Sequence, residues 1–157
     1  MTRTPADLDQ FIRQHAIDAE LVHPPHETPT VPLAAQAMNC AEEQIIKSVL
    51  FLIPQGAALV IANGTAKIDA RKLAAVFGVG RKRVKLATAV QVQSTTGFPA
   101  GGVPPFGYPA PIATYIDAKV LEQPVVFGGG GDEHTLMRVT PQELLRATQA
   151  EVIDARE

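Results

Sequence analysis

Apolar residues recur every three or four positions in several stretches of the chain, which is the spacing of an amphipathic helix. In the first stretch Leu8, Phe11 and Ile12 fall on one face, and Thr4 precedes them as a capping residue. Five helices are predicted: Thr4 to about His15, Thr30 to Asn39, Asp69 to about Phe77, a weak one from Ala87 to Thr95, and a last one that begins at Thr140.

Shorter apolar runs between these stretches predict strands. They are Gln44–Ile53, Ala57–Ala62, Pro111–Ile116, Pro124–Phe127, Thr135–Val139 and a short edge strand at Glu151–Ile153. The brief turn after Ile53 indicates an antiparallel hairpin, whereas the stretch from Ala19 to Thr30 reads as extended chain followed by a proline-held loop. Helices interrupt the strands irregularly. The pattern therefore predicts a single α+β domain over residues 1–157, with a central mixed, mostly antiparallel sheet flanked by helices.

One charged residue, Lys47, interrupts the first strand, where it shares a face with Ile45, Val49 and Phe51. A lysine is seldom buried at such a position without a partner, because removing an ammonium group from water is costly. The alternative is that Lys47 lies at the start of the strand and reaches out to water. Either way, it is the first residue to mutate.

The segment from Gly97 to Gly107 holds four glycines and three prolines in eleven residues. This composition excludes a long helix or a central strand and predicts a rigid loop with exposed backbone N–H groups. Such a loop can hold an anion or a developing oxyanion. The alternative is a purely structural crossover between two elements.

Other residues offer weaker candidates. The glycine run from Gly128 to Gly131 lacks the context of a nucleotide-binding loop, and it predicts a tight hairpin or a place where substrate approaches backbone, here Gly129 and Gly130. His134 either faces a site or is a half-exposed strand residue. No Cys or carboxylate pair completes a metal site with His23 and His26, so neither a metal nor another cofactor is expected.

The composition limits the classes of function. The net charge of −2 argues against binding to nucleic acid through bulk charge, although residues 81–85 form a dense basic cluster that could contact phosphates or could be a solvated face. A single Cys40 excludes an internal disulfide and fits a reduced, cytoplasmic setting. The apolar runs are too short to span a bilayer, and residues 1–9 lack the apolar core of a signal peptide.

Several of these motifs together resemble the YbaK/prolyl-tRNA-synthetase-associated domain family. They are an Ile-Lys-Ser-Val-Leu-Phe strand (residues 46–51), a Thr-Val-x-x-Ala-Ala helix start (30–35), the Thr-Gly-Phe-x-x-Gly-Gly-Val-x-Pro-Phe-Gly loop (96–107), and a Gly-Gly-Gly-x-x-x-His-x-Leu-Met-Arg-Val-Thr-Pro-x-Glu-Leu-Leu ending (128–145). The resemblance covers the chain from about Thr30 to Ile153. The lysine followed by the Gly-x-x-x-Pro loop is its most specific part.

The resemblance implies an aminoacyl-tRNA deacylase that acts in trans on mischarged tRNA, an editing step after aminoacylation. It assigns the key polar role to Lys47, which would position the terminal nucleotide, and the oxyanion role to the loop from Gly101 to Pro105. Side chains at Gly101 and Gly102 are then expected to be tolerated poorly, because a Cβ atom would enter the space of the substrate carbonyl. The candidate catalytic residues are thus Lys47, Gly101, Gly102 and Val103. The candidate substrate-binding residues are Thr30, Pro104, Pro105, Phe106, Gly129, Gly130 and His134. Specificity would come from residues such as Thr30, Met38 and Val49.

The chain departs from the pattern of those members that carry an acidic residue in the strand after the glycine run, since that strand begins Thr-Leu-Met-Arg. Asp132 or Glu133 could substitute for it from the preceding loop. No Ser-His-Asp or Cys-His set is evident, so the nucleophile is expected to be water or a hydroxyl of the terminal ribose. Expected partners are the aminoacyl end of tRNA and an aminoacyl-tRNA synthetase. The alternatives are a non-catalytic module that binds aminoacyl-tRNA or a synthetase, and a hydrolase of small molecules.

Overall fold

The computed structural model describes residues 2–157 and contains five α-helices and eight strands within that range. The helices are α1 (Pro5–Gln14), α2 (Val31–Met38), α3 (Ala70–Phe77), α4 (Ala89–Thr96) and α5 (Pro141–Thr148). The strands are β1 (Ala19–Val22), β2 (Ile46–Ile53), β3 (Gly56–Asn63), β4 (Lys85–Leu86), β5 (Ala113–Asp117), β6 (Val126–Gly129), β7 (Leu136–Val139) and β8 (Glu151–Ile153). Short 3₁₀ turns cover Glu42–Gln44, Arg81–Arg83, Ala100–Gly102 and Ala118–Glu122.

Helices α1, α2, α3 and α5 begin at the residues that the sequence indicates, whereas α4 begins two residues after the predicted Ala87 and ends one residue after Thr95. The side chains of Thr30, Asp69 and Thr140 each accept a hydrogen bond from a backbone N–H in the first turn of the helix that follows. Gly78 and Gly97, which follow α3 and α4, adopt the left-handed conformation with φ of +69° and +83°. Helix boundaries in this chain are therefore set by local capping chemistry.

The strands form two sheets, one with five strands in the order β4-β2-β3-β5-β8 and one with three in the order β1-β7-β6. In the larger sheet β2 and β3 form the expected antiparallel hairpin, while β5 lies parallel to both β3 and β8. An isolated bridge between Ile45 and Phe127 joins the two sheets. The α+β prediction with mixed strand directions is confirmed, and the strands are divided between two sheets instead of filling one.

The main hydrophobic core lies where both sheets meet α1, α5 and the glycine-proline loop. Leu59, Ile61, Met137 and Leu144 are completely buried there, and Phe98 brings the loop into the same core. A second cluster packs α3 onto the larger sheet, and a third packs α2 against Ile45 and the smaller sheet. The loop is thus held by buried apolar contacts, which keeps the backbone that follows in a fixed place.

Two strands were not predicted. Ala19–Val22, interpreted as extended chain, pairs antiparallel with β7, and the basic cluster contains the short edge strand β4, which pairs with β2. Gly128 and Gly129 belong to β6, so the glycine run begins inside a strand and continues into the hairpin. These strands are stabilised by partners distant in sequence, and local patterns do not reveal such pairings. In residues 2–157 we find no helix with the length and apolar character that crossing a membrane requires.

Candidate functional site

A cavity of about 230 Å³ opens where the two sheets meet, next to the Ile45–Phe127 bridge. Its floor is apolar and belongs to the cluster under α2: Ala34, Ile45, Phe127 and Leu136. Its walls come from the segment before α2, the start of β2, the glycine-proline loop and the end of β6: Thr28–Val31, Ile46–Ser48, Ala100, Gly101, Val103, Gly128 and Gly129. The cavity therefore combines an apolar floor with a polar rim.

Lys47 is the charged residue in this wall. It is the second residue of β2, it is half-buried, and its ammonium group donates a hydrogen bond of 2.5 Å to the carbonyl oxygen of Ala66. Burial, and after it the positive charge of Arg156, lowers the pKa of the Lys47 ammonium group. Within residues 2–157 Lys47 forms no ion pair with a carboxylate. Two of its three N–H groups remain for another acceptor.

A buried polar network lies near Lys47. Arg156 donates to the Asn63 side chain at 3.2 Å and lies 3.6 Å from the carboxylate of Asp117, which is only 1% exposed. Asn63 is also buried, and its backbone carbonyl oxygen accepts a hydrogen bond from the backbone N–H of Ala66. The network therefore fixes the Ala66 peptide that receives Lys47. Sequence reasoning missed it, because its members lie in three separate parts of the chain.

The glycine-proline loop presents two backbone donors. Pro104 and Pro105 carry no N–H, and the Gly102 N–H already donates to the Pro99 carbonyl at 2.9 Å. In the described part of the chain, the N–H groups of Gly101 and Val103 make no hydrogen bond within the protein. Both residues line the cavity. The loop can therefore offer two N–H groups to an oxygen atom of a ligand.

The same loop lies directly on the hairpin between β6 and β7. The Gly102 carbonyl accepts a hydrogen bond from the Gly131 N–H at 2.9 Å, and a methyl group at Gly102 would stand 2.6 Å from the Asp132 N and Cα atoms. A methyl group at Gly129 would overlap the Val103 carbonyl. These glycines are needed because two backbones approach each other closely.

We expected side chains at Gly101 and Gly102 to be tolerated poorly because they would enter the space of a substrate carbonyl. The structure gives another reason at Gly102, where the obstacle is the backbone of Asp132. At Gly101 the nearest atoms belong to the flexible side chain of Glu133, 3.1 Å from a methyl group placed there. Of the two acidic residues considered from the sequence, Glu133 has its side chain beside Gly101. The Asp132 carboxylate instead accepts a hydrogen bond from the backbone N–H of His134.

Five of the eleven residues singled out from the sequence line the cavity: Thr30, Lys47, Gly101, Val103 and Gly129. Thr30 also caps α2, since its hydroxyl oxygen accepts from the Leu33 N–H at 3.3 Å. Met38 and Val49, proposed as lining residues, pack instead against the clusters under α2 and α3. The apolar floor of the cavity is formed by Ala34, Ile45, Phe127 and Leu136, which sequence reasoning did not select as lining residues.

The other six residues are not in the cavity wall: Gly102, Pro104, Pro105, Phe106, Gly130 and His134. Gly102 faces the hairpin, and the Gly130 N–H pairs with the Thr135 carbonyl at 3.0 Å. The Pro104 carbonyl accepts from the Tyr108 hydroxyl at 2.5 Å. The His134 side chain is 62% exposed and lies 3.9 Å from Glu27.

Pro105 and Phe106 line a second cavity of about 420 Å³ on another side of the loop. Phe106 stacks on Phe11, with ring centroids 5.8 Å apart, and is almost completely buried. Burial also raises the pKa of Tyr108 well above its usual 10.0. These contacts hold the end of the loop that follows Val103 in place. Across residues 2–157, no three His, Cys, Asp or Glu side chains converge as metal ligands.

The chain is similar in sequence and in fold to several known proteins. The model of the family described as "Aminoacyl-tRNA editing domain" matches residues 25–147. A crystal structure of a proposed trans-editing enzyme for prolyl-tRNA synthetase superimposes with a TM-score of 0.91 at 34% identity, over 98% of this chain and 96% of that one. The uncharacterised protein YwhH of Bacillus subtilis is 32% identical over 117 residues, which are 73% of this chain and 72% of YwhH. A proposed Cys-tRNA(Pro)/Cys-tRNA(Cys) deacylase of Enterococcus faecalis is 21% identical over 74% of this chain and 71% of its own length.

Proposed function

The chain belongs to the aminoacyl-tRNA editing domain family, and from this premise we propose that it is a trans-acting deacylase that hydrolyses the ester of mischarged tRNA. The observation that carries the proposal is the position of Lys47, Gly101 and Val103 in the wall of one cavity. Ester hydrolysis needs a group that orients the substrate and donors that stabilise the tetrahedral oxyanion. An ammonium group and two backbone N–H groups fulfil these requirements.

In the proposed reaction an oxygen nucleophile attacks the ester carbonyl carbon, and the carbonyl oxygen acquires negative charge. The N–H groups of Gly101 and Val103 donate to that oxygen, and Lys47 binds the terminal nucleotide and compensates negative charge. The bond between the acyl carbon and the ribose oxygen then breaks. The products are the free amino acid and a tRNA whose terminal hydroxyl has regained a proton.

The nucleophile is proposed to be water, or the neighbouring hydroxyl of the terminal ribose followed by water. Ser48 lines the cavity, but among the described residues no histidine lines it to act as the base for a serine. Lys47 acts as a cation in this scheme, because its ammonium group is held by a carbonyl oxygen. The Glu133 carboxylate, which lies beside Gly101, is the group proposed to orient a water molecule.

The cavity also suggests the class of amino acid. A volume of about 230 Å³ is smaller than that of sites for drug-sized ligands, and the floor is apolar. We therefore expect the ester of a small uncharged amino acid. The proposed partner is the 3′ end of tRNA, in cooperation with a synthetase that produces the error, and the proposed location is the cytoplasm.

The test is a panel of tRNAs charged with small non-cognate amino acids, such as alanine, serine, cysteine and proline, in which loss of the ester is followed over time. Wild type should hydrolyse at least one of them. Lys47→Ala should lower kcat/KM by about 10²-fold or more, while the exposed Lys119→Ala should match wild type. Absence of turnover with every ester would refute the deacylase. Binding without turnover would instead identify a non-catalytic module.

A further inference from the structure

The charges of this chain are divided unevenly along its length. Residues 67–85 contain seven of the fourteen basic residues and one of the sixteen acidic residues, for a formal charge of +6. The rest of the chain therefore carries −8, although the protein as a whole carries only −2. A separation of this size creates a local positive potential that the net charge conceals.

The fold gathers part of this segment at one edge of the larger sheet. Arg81, Lys82 and Arg83 form a 3₁₀ turn, and Lys85 follows in β4, the edge strand next to β2. We call these four residues the basic edge. All four side chains are exposed, and within residues 2–157 none forms an ion pair.

Two other exposed cations of the chain are neutralised locally. Arg13 pairs with Asp9 at 2.9 Å, and Lys119 pairs with Glu122 at 3.1 Å. Within residues 67–85 the single acidic residue, Asp69, accepts from a backbone N–H at the start of α3. Among the described residues, the basic edge places four exposed, unpaired cations within five residues, so positive charge is concentrated there, and polyanions are its natural ligands.

Its distance from the cavity fits a nucleic-acid strand. Lys85 pairs with Leu52 in β2, and Lys47 lies five residues earlier in the same strand. At about 3.4 Å per residue the separation along β2 is roughly 17 Å. A stacked strand advances about 3.4 Å per nucleotide, so this distance corresponds to about five phosphates. A polynucleotide whose end enters the cavity can therefore reach the basic edge.

We infer that the basic edge binds the phosphate backbone of the tRNA upstream of its aminoacylated end. This inference rests on the proposed function and adds a docking surface outside the cavity. The contacts are to phosphates, so they position the substrate without reading its sequence, and they weaken as the salt concentration rises. The ester is then delivered to Lys47 by a strand that is held at both ends.

The first experiment measures binding of uncharged tRNA by fluorescence anisotropy as a function of salt concentration. The basic-edge variant is Arg81→Ala/Lys82→Ala/Arg83→Ala. It is compared with a control variant, Arg13→Ala/Lys119→Ala/Arg138→Ala, which removes the same charge from exposed positions elsewhere. We expect the first variant to bind about tenfold more weakly at low salt, with a slope of log K against log salt reduced by about 3. The control variant should bind as wild type does.

The second experiment compares two substrates that carry the same aminoacyl ester, full-length tRNA and a trinucleotide. A trinucleotide spans only about 10 Å and does not reach the basic edge. The basic-edge variant should lose about tenfold in kcat/KM on tRNA and keep wild-type kcat/KM on the trinucleotide.

The outcomes separate the two proposals. If tRNA binding by the basic-edge variant equals that of the control variant, or if wild type binds no tRNA at low salt, the inference is overturned while the deacylase can stand. If wild type binds through the basic edge but hydrolyses neither substrate, the docking surface stands and the deacylase falls.

Discussion

The contact between the glycine-proline loop and the hairpin can be tested by replacing Gly102 with alanine. The added methyl group would lie 2.6 Å from two Asp132 backbone atoms, and ordinary contact begins near 3.4 Å, so the loop would have to retreat by about 0.8 Å (3.4 − 2.6). Such a movement would stretch the 2.9 Å hydrogen bond between Gly131 and Gly102 beyond hydrogen-bonding distance. The loss of one bond, about 1 kcal/mol, adds to about 1–3 kcal/mol for overpacking.

We therefore expect Gly102→Ala to lower the free energy of unfolding by about 2–4 kcal/mol, measured by urea denaturation. The same movement displaces the N–H groups of Gly101 and Val103, so kcat/KM for a mischarged tRNA should fall by about 10- to 100-fold. Gly80→Ala is the matched control for stability. Gly80 has open space around its Cα and an ordinary φ of −67°, so its substitution should change stability by no more than about 0.5 kcal/mol.

Equal stabilities of Gly102→Ala and Gly80→Ala would refute the packing argument. A Gly102→Ala protein of unchanged stability that had lost activity would indicate the original expectation, namely a methyl group that obstructs the substrate itself.

Three further predictions concern the same region. Burial and, after it, the charge of Arg156 lower the pKa of Lys47, so kcat/KM should fall as pH rises through a pKa below the usual 10.5 of lysine. Arg156→Met should move this decline to higher pH. If Lys47 acted as a base, rates corrected for spontaneous ester hydrolysis would instead rise with pH. Gly101→Ala should change the free energy of unfolding by no more than about 0.5 kcal/mol, because only the flexible Glu133 side chain must turn aside. The same variant should have a lower kcat/KM than wild type. A clear loss of stability in urea denaturation would contradict this prediction. The pKa of Tyr108 is raised, so its contribution to stability is complete below about pH 10 and decreases above it; an absorbance titration in which Tyr108 ionises before unfolding would contradict its burial.

The sequence predicted those parts of the fold and site that depend on neighbours along the chain. Thr30 and Asp69 cap the helices that follow them, and Gly78 ends α3, because capping is a matter of one helical turn. Lys47 is recognisable as a charge in an otherwise apolar strand, and the loop is recognisable by its glycines and prolines. These features depend on neighbouring residues, so they can be recognised in the sequence without knowledge of the fold.

The tertiary structure decided how these local parts meet. It divided the strands into two sheets, added β1 and β4, and placed the cavity at their junction, because strand pairing depends on partners far away in sequence. It also decided which loop N–H groups are free and gave Lys47 the Ala66 carbonyl, a partner with no signature in the sequence. By itself, the sequence determined which residues carry unusual chemistry and where helices start and stop. Only the folded chain determined which of them share a cavity, because proximity across a junction of two sheets depends on packing and backbone hydrogen bonds.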